Sequence, residues 1–175
     1  MNWLGKEIRT IYATVPGFDY SDSFLDLGCG LLQATDALGP RHIGVDVYKP
    51  YLEQLKGKII VMKGNLPYVC RQFINNSFDH VLLLDVVEHL TKDTALACLQ
   101  HADRIARKTV IVFTTDGFVR QDAHDKHGCG LNPYQEHKCG FSSGELVGFG
   151  FAVTRYGNCN WTGLKFGALL GVKRQ

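Results

Sequence analysis

Five short apolar runs alternate with helix-sized stretches along the first two thirds of the chain, and this alternation constrains the fold most. The runs are Phe24 to Leu27, His42 to Val47, Ile59 to Met62, Val81 to Leu84 and Val110 to Phe113. Each is typical of a buried strand, because it is short and rich in apolar or β-branched residues. A helix is predicted over Lys92 to Arg107, where apolar residues recur at helical spacing. Its apolar face consists of Ala95, Leu99, Ala102 and Ala106.

Strands that alternate with helices predict an α/β fold, an open parallel sheet with helices on both faces. The last third of the chain differs. Phe149 to Tyr156 and Leu164 to Val172 are joined by Gly157 to Asn160, which is too short for a crossover helix and rich in turn formers. This pattern predicts a terminal antiparallel hairpin. A short amphipathic helix is predicted before the first strand, with its apolar positions at Trp3, Leu4, Ile8 and Ile11.

The length of 175 residues and the formal net charge of +2 describe one globular domain without a surplus of basic residues. We expect a single domain over 1–175, with an N-terminal helix and lead-in over 1–22 and a substrate loop over 114–143. Nucleic acid is not an expected partner, because phosphate binding needs clustered cations. The nearest basic cluster is Arg104, Arg107 and Lys108. It lies at the predicted end of a helix, where cations interact favourably with the helix dipole.

Three sequence features bear on the compartment of the protein: the length of its apolar runs, its first residues and its cysteines. Its strongest apolar run, Val81 to Val87, is interrupted by Asp85 and is far shorter than the roughly 20 residues of a membrane-spanning helix. Residues 1–11 alternate apolar and charged positions, so no signal peptide is expected. The six cysteines are therefore expected to be thiols in a cytoplasmic protein. Three fall inside predicted elements and are expected to be buried, namely Cys29, Cys70 and Cys98.

The sharpest local motif is a strand that runs into a Gly-x-Gly turn, Asp26-Leu27-Gly28-Cys29-Gly30, with a helix expected to open at Leu31-Leu32. Such a turn lets a ligand approach the backbone closely. Asp46 ends the next strand, where a carboxylate can accept hydrogen bonds from both hydroxyls of a ribose. Position 33 is Gln, so the third glycine of the dinucleotide fingerprint is absent. A nucleoside cofactor without a phosphate, such as S-adenosylmethionine, therefore fits better than a nicotinamide dinucleotide.

Further motifs follow in a fixed order: Gly44-Val45-Asp46, Gly64-Asn65-Leu66-Pro67, Phe78-Asp79-His80-Val81 and Asp85-Val86-Val87-Glu88-His89-Leu90. Together with the Gly-x-Gly turn they resemble the successive motifs of class I S-adenosylmethionine-dependent methyltransferases over residues 24–90. The resemblance implies a three-layer Rossmann-like sandwich with a mostly parallel seven-stranded sheet. Its strand order would be 3-2-1-4-5-7-6, with an antiparallel seventh strand supplied by the terminal hairpin. It also implies in-line transfer of a methyl group to an unidentified acceptor, with S-adenosylhomocysteine as a product.

The resemblance further implies a set of cofactor-binding residues. They are Asp26, Gly28, Cys29, Gly30, Asp46, Val47, Asn65, Leu66, Asp85 and Val86. Gly28 and Gly30 would lie under the methionine part, Asp46 on the ribose, and Val47 and Leu66 against the adenine. Many relatives have Asp at the position of Asn65, whose amide still donates to and accepts from an adenine edge.

Two features of the motif that follows the fourth strand have alternative interpretations. Asp85 would face the methionine end or the substrate, or else act as an N-terminal charge for the next helix. Glu88-His89 resembles the Glu-His pair of members that act on small molecules, with helix packing as an equal alternative.

Residues 114–143 leave the carboxyl end of the fifth strand, where ligands collect in open α/β sheets. The stretch Thr114 to Leu146 resembles a T-x-x-G-F…N-P-x-Q-x-H…G-[FW] pattern found in small stand-alone methyltransferases. From this resemblance we expect substrate contacts from Asn132, Tyr134, Gln135 and His137, with loop stabilisation as the alternative. A hydroxyl acceptor would need a general base. The candidates are His89, His124 and His137.

Two further patterns resemble known sites. Two His-x-Cys pairs offer four zinc-type ligands, His127, Cys129, His137 and Cys139. The His-x-Cys spacing is unusual for zinc, and no metal is expected. Asn65 to Tyr68 and Asn132 to Gln135 resemble the Asn-Pro-Pro-Tyr signature of amino-methylating enzymes. That signature follows the fourth strand, where this chain has Asp85 to Glu88, so it does not support methylation of a base or glutamine amide.

The acceptor therefore stays open among a small molecule, a glycan and a protein side chain. No membrane partner is expected, and the chain is expected to act as a monomer or homodimer. Two alternative functions are consistent with the same pocket. One is an S-adenosylmethionine-binding regulator or subunit without turnover, and the other is a nicotinamide-dependent oxidoreductase.

Overall fold

The computed structural model describes residues 19, 21–31, 41–57, 59–123, 130–161 and 164–175. The strands in these ranges are β1 (Phe24–Leu27), β2 (His42–Asp46), β3 (Ile60–Lys63), β4 (Phe78–Leu84), β5 (Ala106–Thr115), β6 (Ala152–Trp161) and β7 (Leu164–Arg174). The helices are α1 (Lys49–Leu55), α2 (Lys92–Ile105) and α3 (Ser143–Gly148). Short 3-10 turns cover Val69–Gln72, Val87–His89 and Pro133–Gln135. The predicted N-terminal helix, and the helix expected from Leu31-Leu32 beyond residue 31, lie outside the described residues.

All seven strands form one sheet in the order β3-β2-β1-β4-β5-β7-β6. β1 to β5 pair in parallel, whereas β7 runs antiparallel to both of its neighbours. The predicted strand order and antiparallel seventh strand are therefore confirmed. Because β1 to β5 are parallel, their carboxyl ends meet on one side of the molecule, which we call the carboxyl end of the sheet. The opposite side is the amino end.

Helices pack on both faces of the sheet. On one face, Leu25, Val81 and Val110 belong to a cluster with the buried side of α2. The buried residues of α2 are Ala95, Cys98, Leu99, Ala102 and Ile105. On the other face, α1 packs through Leu52 and Leu55 against β3 and the turn after β1. The expected three-layer arrangement is thus confirmed, and none of the described helices is long and apolar enough to cross a membrane.

The terminal hairpin is confirmed, but its predicted turn is wrong. β6 pairs with β7 as far as Trp161 and Leu164, so Gly157 to Asn160 lie inside β6. The register shifts between Tyr156 and Cys159, where β6 contains a bulge. Glycine and asparagine suit a bulge as well as a turn, because both tolerate the backbone angles that an extra strand residue requires.

The prediction for the basic cluster is also corrected. α2 ends earlier than predicted and β5 begins at once, so Arg107 and Lys108 lie on a strand. Arg107 pairs with Asp79, and Lys108 pairs with Asp22. Arg104, in the last turn of α2, donates to two main-chain carbonyls beside the first 3-10 turn. These cations join elements at the amino end of the sheet.

The connection that enters the carboxyl end is shorter than the predicted loop over 114–143. Thr114 and Thr115 belong to β5, and Ser143 begins α3, so the β5–α3 connection covers 116–142. Its 3-10 turn is capped by Asn132, whose side chain accepts from the Tyr134 amide. The boundary moved because β5 extends two residues beyond its predicted end at Phe113, into the threonine pair.

Candidate functional site at the carboxyl end of the sheet

A cavity of about 600 Å³ opens at the carboxyl end of the sheet. Its walls come from the residues that follow β1, β2, β3 and β4 and from the β5–α3 connection. All predicted cofactor residues line it: Asp26, Gly28, Cys29, Gly30, Asp46, Val47, Asn65, Leu66, Asp85 and Val86. The predicted substrate and base residues Asn132, Tyr134, Gln135, His137 and His89 line it as well. His124 lies outside the described residues.

The turn after β1 brings main chain to the cavity. The amides of Gly28 and Cys29 both donate to the Val45 carbonyl, at 2.8 and 3.0 Å, which bends the turn over the end of β2. Gly28 has φ +81°, and a Cβ at this position would collide with Val86. Gly30 has φ +52° and no atom near the position of a Cβ. Glycine therefore gives both the left-handed turn and a backbone that a ligand can reach.

Asp46 ends β2 with its carboxylate held by two main-chain amides. Gly30 donates to Oδ2 at 2.9 Å, and Tyr48 donates to Oδ1 at 2.7 Å. Burial raises the pKa of Asp46, although these two hydrogen bonds oppose the shift. A carboxylate has about four lone-pair sites, so further donors in the cavity can bind the same oxygens. The arrangement presents an oriented acceptor pair suited to a diol.

Apolar side chains lie beside that carboxylate. Leu66 and Tyr51 are 7% and 2% exposed, and Val47 is half-buried. Asn65, next to Leu66, is exposed and adds an amide that both donates and accepts. An apolar slot with one amide at its edge suits a flat heterocycle that carries ring nitrogens.

The residues after β4 add two carboxyl groups. Asp85 has φ +51°, and its amide donates to the Phe113 carbonyl at 2.9 Å. Glu88 is 1% exposed, and Thr114 Oγ1 donates to its Oε2 at 3.0 Å. Burial, with a contribution from the charge of Asp85, raises the pKa of Glu88 to about 8. A buried carboxyl of this kind at a cavity wall is typical of functional sites.

Two histidines from different parts of the sequence meet in the same region. The rings of His89 and His137 are edge-to-face, with centroids 4.7 Å apart. Nδ1 of His89 lies 3.3 Å from the Glu136 carbonyl, and Nδ1 of His137 lies 2.6 Å from the Val119 carbonyl. Burial, with His137 adding to it, lowers the pKa of His89 to about 4. His89 is therefore neutral at pH 7.

The β5–α3 connection closes the cavity on this side. The main-chain carbonyl of Glu88 accepts from the amides of Lys138 and Cys139, at 2.8 and 3.2 Å. Asn132 is fully buried, and its Nδ2 has no hydrogen-bond partner in the part of the chain that the structure describes. Gln121 Nε2 donates to the Gln135 carbonyl at 2.8 Å. The connection is thus fixed to the end of β4 and leaves a spare amide donor on Asn132.

Tyr51 and Gln121 are among the lining residues that sequence reasoning missed. Tyr51 lies in the first half of α1, and its position soon after Asp46 was the available signal. Gln121 belongs to no motif, and nothing in its surroundings in the sequence marks it.

Of the four zinc-type ligands considered from the sequence, the structure describes two, and these two lie in different environments. Cys139 is 9% exposed in the hydrophobic core, and its Sγ donates to the Val87 carbonyl at 3.3 Å. His137 lines the cavity. His127 and Cys129 lie outside the described residues.

Comparison with known proteins identifies a family. Residues 25–114 match the model of the methyltransferase domain. A crystal structure of a SAM-dependent methyltransferase from Archaeoglobus fulgidus is similar, with TM-score 0.67 and 15% identity over 97% of this chain and 93% of that one. The methyltransferase domain of bacterial CtHen1-CN gives TM-score 0.65 and 20% identity over 99% and 100%.

Magnesium protoporphyrin IX methyltransferase from Synechocystis PCC 6803, crystallised with bound SAH, gives TM-score 0.62 and 17% identity over 97% of this chain and 83% of that one. No curated protein matches the chain significantly. The family match favours methyl transfer over nicotinamide chemistry, in agreement with the missing third glycine at Gln33.

Proposed function

The chain belongs to the methyltransferase domain family and is an S-adenosylmethionine-dependent methyltransferase, and from that premise we propose that its cavity has a cofactor half and an acceptor half. The cofactor half comprises the residues after β1, β2 and β3, together with Asp85 and Val86 after β4. The acceptor half comprises Glu88, His89 and the β5–α3 connection. The observation that carries the proposal is that both predicted residue sets line one continuous cavity.

In the cofactor half, each group has a role that its surroundings support. The open backbone at Gly30 accommodates the methionine part, and the Asp46 carboxylate accepts from the ribose hydroxyls. Val47 and Leu66 pack on the adenine, and the Asn65 amide binds its edge. When bound, S-adenosylmethionine supplies a methyl group on a sulfonium that is already a good leaving group. The protein then contributes chiefly by holding the acceptor in line.

In the acceptor half, His89, Gln135 and His137 line the cavity and would face the acceptor, and Asp85 would face the methionine end of the cofactor or the acceptor. The neutral ring of His89 offers a lone pair or an N–H group rather than a positive charge. The spare amide of Asn132 is a further donor for an acceptor oxygen. Because the β5–α3 connection lines this half, we infer that the methylated atom is carried on a small group. That group belongs to a metabolite, a glycan or a protein side chain.

We also place the protein in the cytoplasm, as a monomer or homodimer. Four cysteines are buried free thiols, namely Cys29, Cys70, Cys98 and Cys139. Cys70 and Cys98 are close enough to hydrogen-bond and are not joined in a disulfide. Adjacent thiols of this kind are consistent with a reducing compartment.

Calorimetric titration with S-adenosylhomocysteine, with NAD as the comparison ligand, tests the cofactor half. We expect binding of S-adenosylhomocysteine with a Kd on the order of micromolar and none of NAD. Asp46→Ala should weaken S-adenosylhomocysteine binding by roughly 10- to 150-fold, about 1.5 to 3 kcal/mol, because charge-assisted hydrogen bonds are lost. Glu53→Ala, an exposed carboxylate on α1, should leave the affinity unchanged. Binding of NAD alone would overturn the proposal, and an unchanged affinity in Asp46→Ala would overturn the role of that residue.

A further inference from the structure

We propose that Glu88, His89 and His137 form a binding site for a divalent transition-metal ion in the acceptor half of the cavity. One ligand atom from each residue lies within 4.8 Å of those of the other two. Ligand atoms that bind one ion at about 2.1 Å in a tetrahedral site lie about 3.4 Å apart. Side-chain movements that together close roughly 1.4 Å would therefore complete the site. Two imidazoles and one carboxylate are a donor set that favours Fe²⁺, Co²⁺, Zn²⁺ or Mn²⁺.

The hydrogen bonds of the two rings select the atom that binds metal. Nδ1 of His89 and Nδ1 of His137 each face a main-chain carbonyl, which only accepts hydrogen bonds. Each Nδ1 must therefore carry the hydrogen, and in the neutral ring Nε2 carries the lone pair. A ligating histidine in proteins usually donates its other N–H to a carbonyl or carboxylate in this way, which fixes the tautomer and the ring orientation.

The carboxylate is positioned in the same way. Thr114 Oγ1, on the neighbouring strand β5, donates to Glu88 Oε2 and limits rotation of the carboxyl group. The main-chain carbonyl of Glu88 is bound by Lys138 and Cys139, so the end of β4 and the segment that carries His137 are joined. The three ligands thus come from two segments held in a fixed relation.

The local charge favours a cation. Glu88 lies in the field of the Asp85 carboxylate, and no Lys or Arg of the described ranges forms an ion pair with it. Asp85 adds a second negative charge beside Glu88, and the charge of Lys138, which follows His137 in the chain, acts on His89. Two neutral imidazoles and a carboxylate would hold a doubly charged ion with the charge balance of a typical catalytic metal site.

Three protein ligands leave coordination positions open, and these face the cavity. If the acceptor half is assigned correctly, as the proposed function holds, the ion receives an acceptor through its oxygen atoms. The two histidines then serve as ligands, and neither acts as the general base. A metal-bound hydroxyl loses its proton to water more readily than a free one, so a hydroxyl-bearing acceptor would need no side chain as general base.

Cobalt titration of the full-length, tag-free and metal-stripped protein tests the site. Co²⁺ binding is followed by its visible absorption and by calorimetry, with Zn²⁺ as competitor. We expect one equivalent of Co²⁺ with an affinity that falls at least about 10- to 100-fold in Glu88→Gln and in His137→Ala. Glu88→Gln keeps the size of the side chain and an acceptor for Thr114, and circular dichroism confirms the fold of each variant. His101→Ala, a histidine on α2 outside the cavity, should bind Co²⁺ like the unaltered protein.

The outcomes separate this inference from the proposed function. Absence of Co²⁺ binding, or binding that Glu88→Gln and His137→Ala both retain, would overturn the metal site even if S-adenosylhomocysteine binds. Binding that is lost in Cys139→Ser and kept in Glu88→Gln would overturn it in favour of the His-x-Cys ligands. Binding of Co²⁺ by these three residues in a protein that does not bind S-adenosylhomocysteine would support the metal site and contradict the cofactor half.

Discussion

Buried carboxylates lie at both ends of the central sheet, and the two ends differ in how the negative charge is balanced. At the amino end, Lys108 Nζ lies 2.6 Å from Asp22, and Arg107 lies 3.2 Å from Asp79. Ser23 adds two hydrogen bonds to Asp79 from its amide and hydroxyl. These contacts tie the lead-in to β1 to the neighbouring strands β4 and β5.

At the carboxyl end, Asp46 and Glu88 have no cationic side chain as an ion-pair partner in the described ranges. The pKa values reflect this difference. Burial alone would raise the pKa of Asp79, but the hydrogen bonds from Arg107 and Ser23 hold it well below its usual range. Burial raises the pKa of Asp46 and of Glu88. The ionised carboxylates therefore stabilise the fold at the amino end and oppose folding at the carboxyl end, where ligands would supply the missing partners.

Asp79→Ala should give the largest effect, because it breaks the amino-end network. We expect the free energy of unfolding to fall by about 3 to 4 kcal/mol, since Arg107 and Ser23 lose their shared partner. Urea denaturation followed by circular dichroism measures the change. Asp103→Ala, which removes a more exposed pair with Lys173, should cost less than about 1 kcal/mol. Equal losses in the two variants would contradict the structural role of the amino end.

The lowered pKa of Asp79 also determines the direction in which the free energy of unfolding changes with pH. The folded pKa of Asp79 lies below its unfolded value of about 3.9, so its stabilisation is present above pH 4. It is lost as the pH falls through the folded pKa. The free energy of unfolding should therefore decrease on acidification below pH 4, and less steeply in Asp79→Ala than in the unaltered protein.

Gly28→Ala should give the next largest effect and should show that the carboxyl end is held by backbone packing. A Cβ at Gly28 combines a left-handed backbone with a collision against Val86, so we expect a loss of about 2 to 3 kcal/mol. Gly57→Ala is the matched control, because Gly57 has φ +84° and open space around the Cβ position. It should cost about 1 kcal/mol, the backbone penalty alone. Urea denaturation measures the free energy of unfolding of both variants. Similar losses in the two would show that the collision with Val86 does not contribute to the loss of stability.

The strands, and the placing of the proposed cofactor residues around one cavity, were predictable because both depend on local patterns. Apolar runs such as Val81 to Leu84 indicate buried strands, and the Gly-x-Gly turn and Asp46 stand at strand ends where parallel chains collect ligands. The turn of the terminal hairpin was not predictable, because Gly157 and its neighbours have the same composition in a bulge as in a turn.

The lining of the proposed acceptor half was predictable only in part. His89 and His137 were chosen from motifs far apart in the sequence, and the fold brings their rings together. The role of Glu88 was left between packing and function, because its burial and its proximity to Asp85 are properties of the folded chain. Gln121 was missed for the same reason, since only the folded connection brings it to Gln135.

The smallest effect on stability is expected from Asp46→Ala, and it separates the two ends most directly. The substitution removes hydrogen bonds from the amides of Gly30 and Tyr48, but Asp46 and Gly30 line the cavity, where water can replace the carboxylate. It also removes a half-buried charge whose raised pKa shows that ionisation opposes folding. The two contributions have opposite signs, so the free energy of unfolding should change by less than about 1 kcal/mol.

Urea denaturation measures the free energy of unfolding of Asp46→Ala, and calorimetry measures its affinity for S-adenosylhomocysteine. We expect Asp46→Ala to stay folded and lose affinity for S-adenosylhomocysteine. We expect Asp79→Ala to lose stability and keep that affinity. Together these results would assign ligand binding to the carboxyl end and stability to the amino end. A loss of stability in Asp46→Ala as large as that in Asp79→Ala would mean that the carboxyl-end carboxylate also supports the fold.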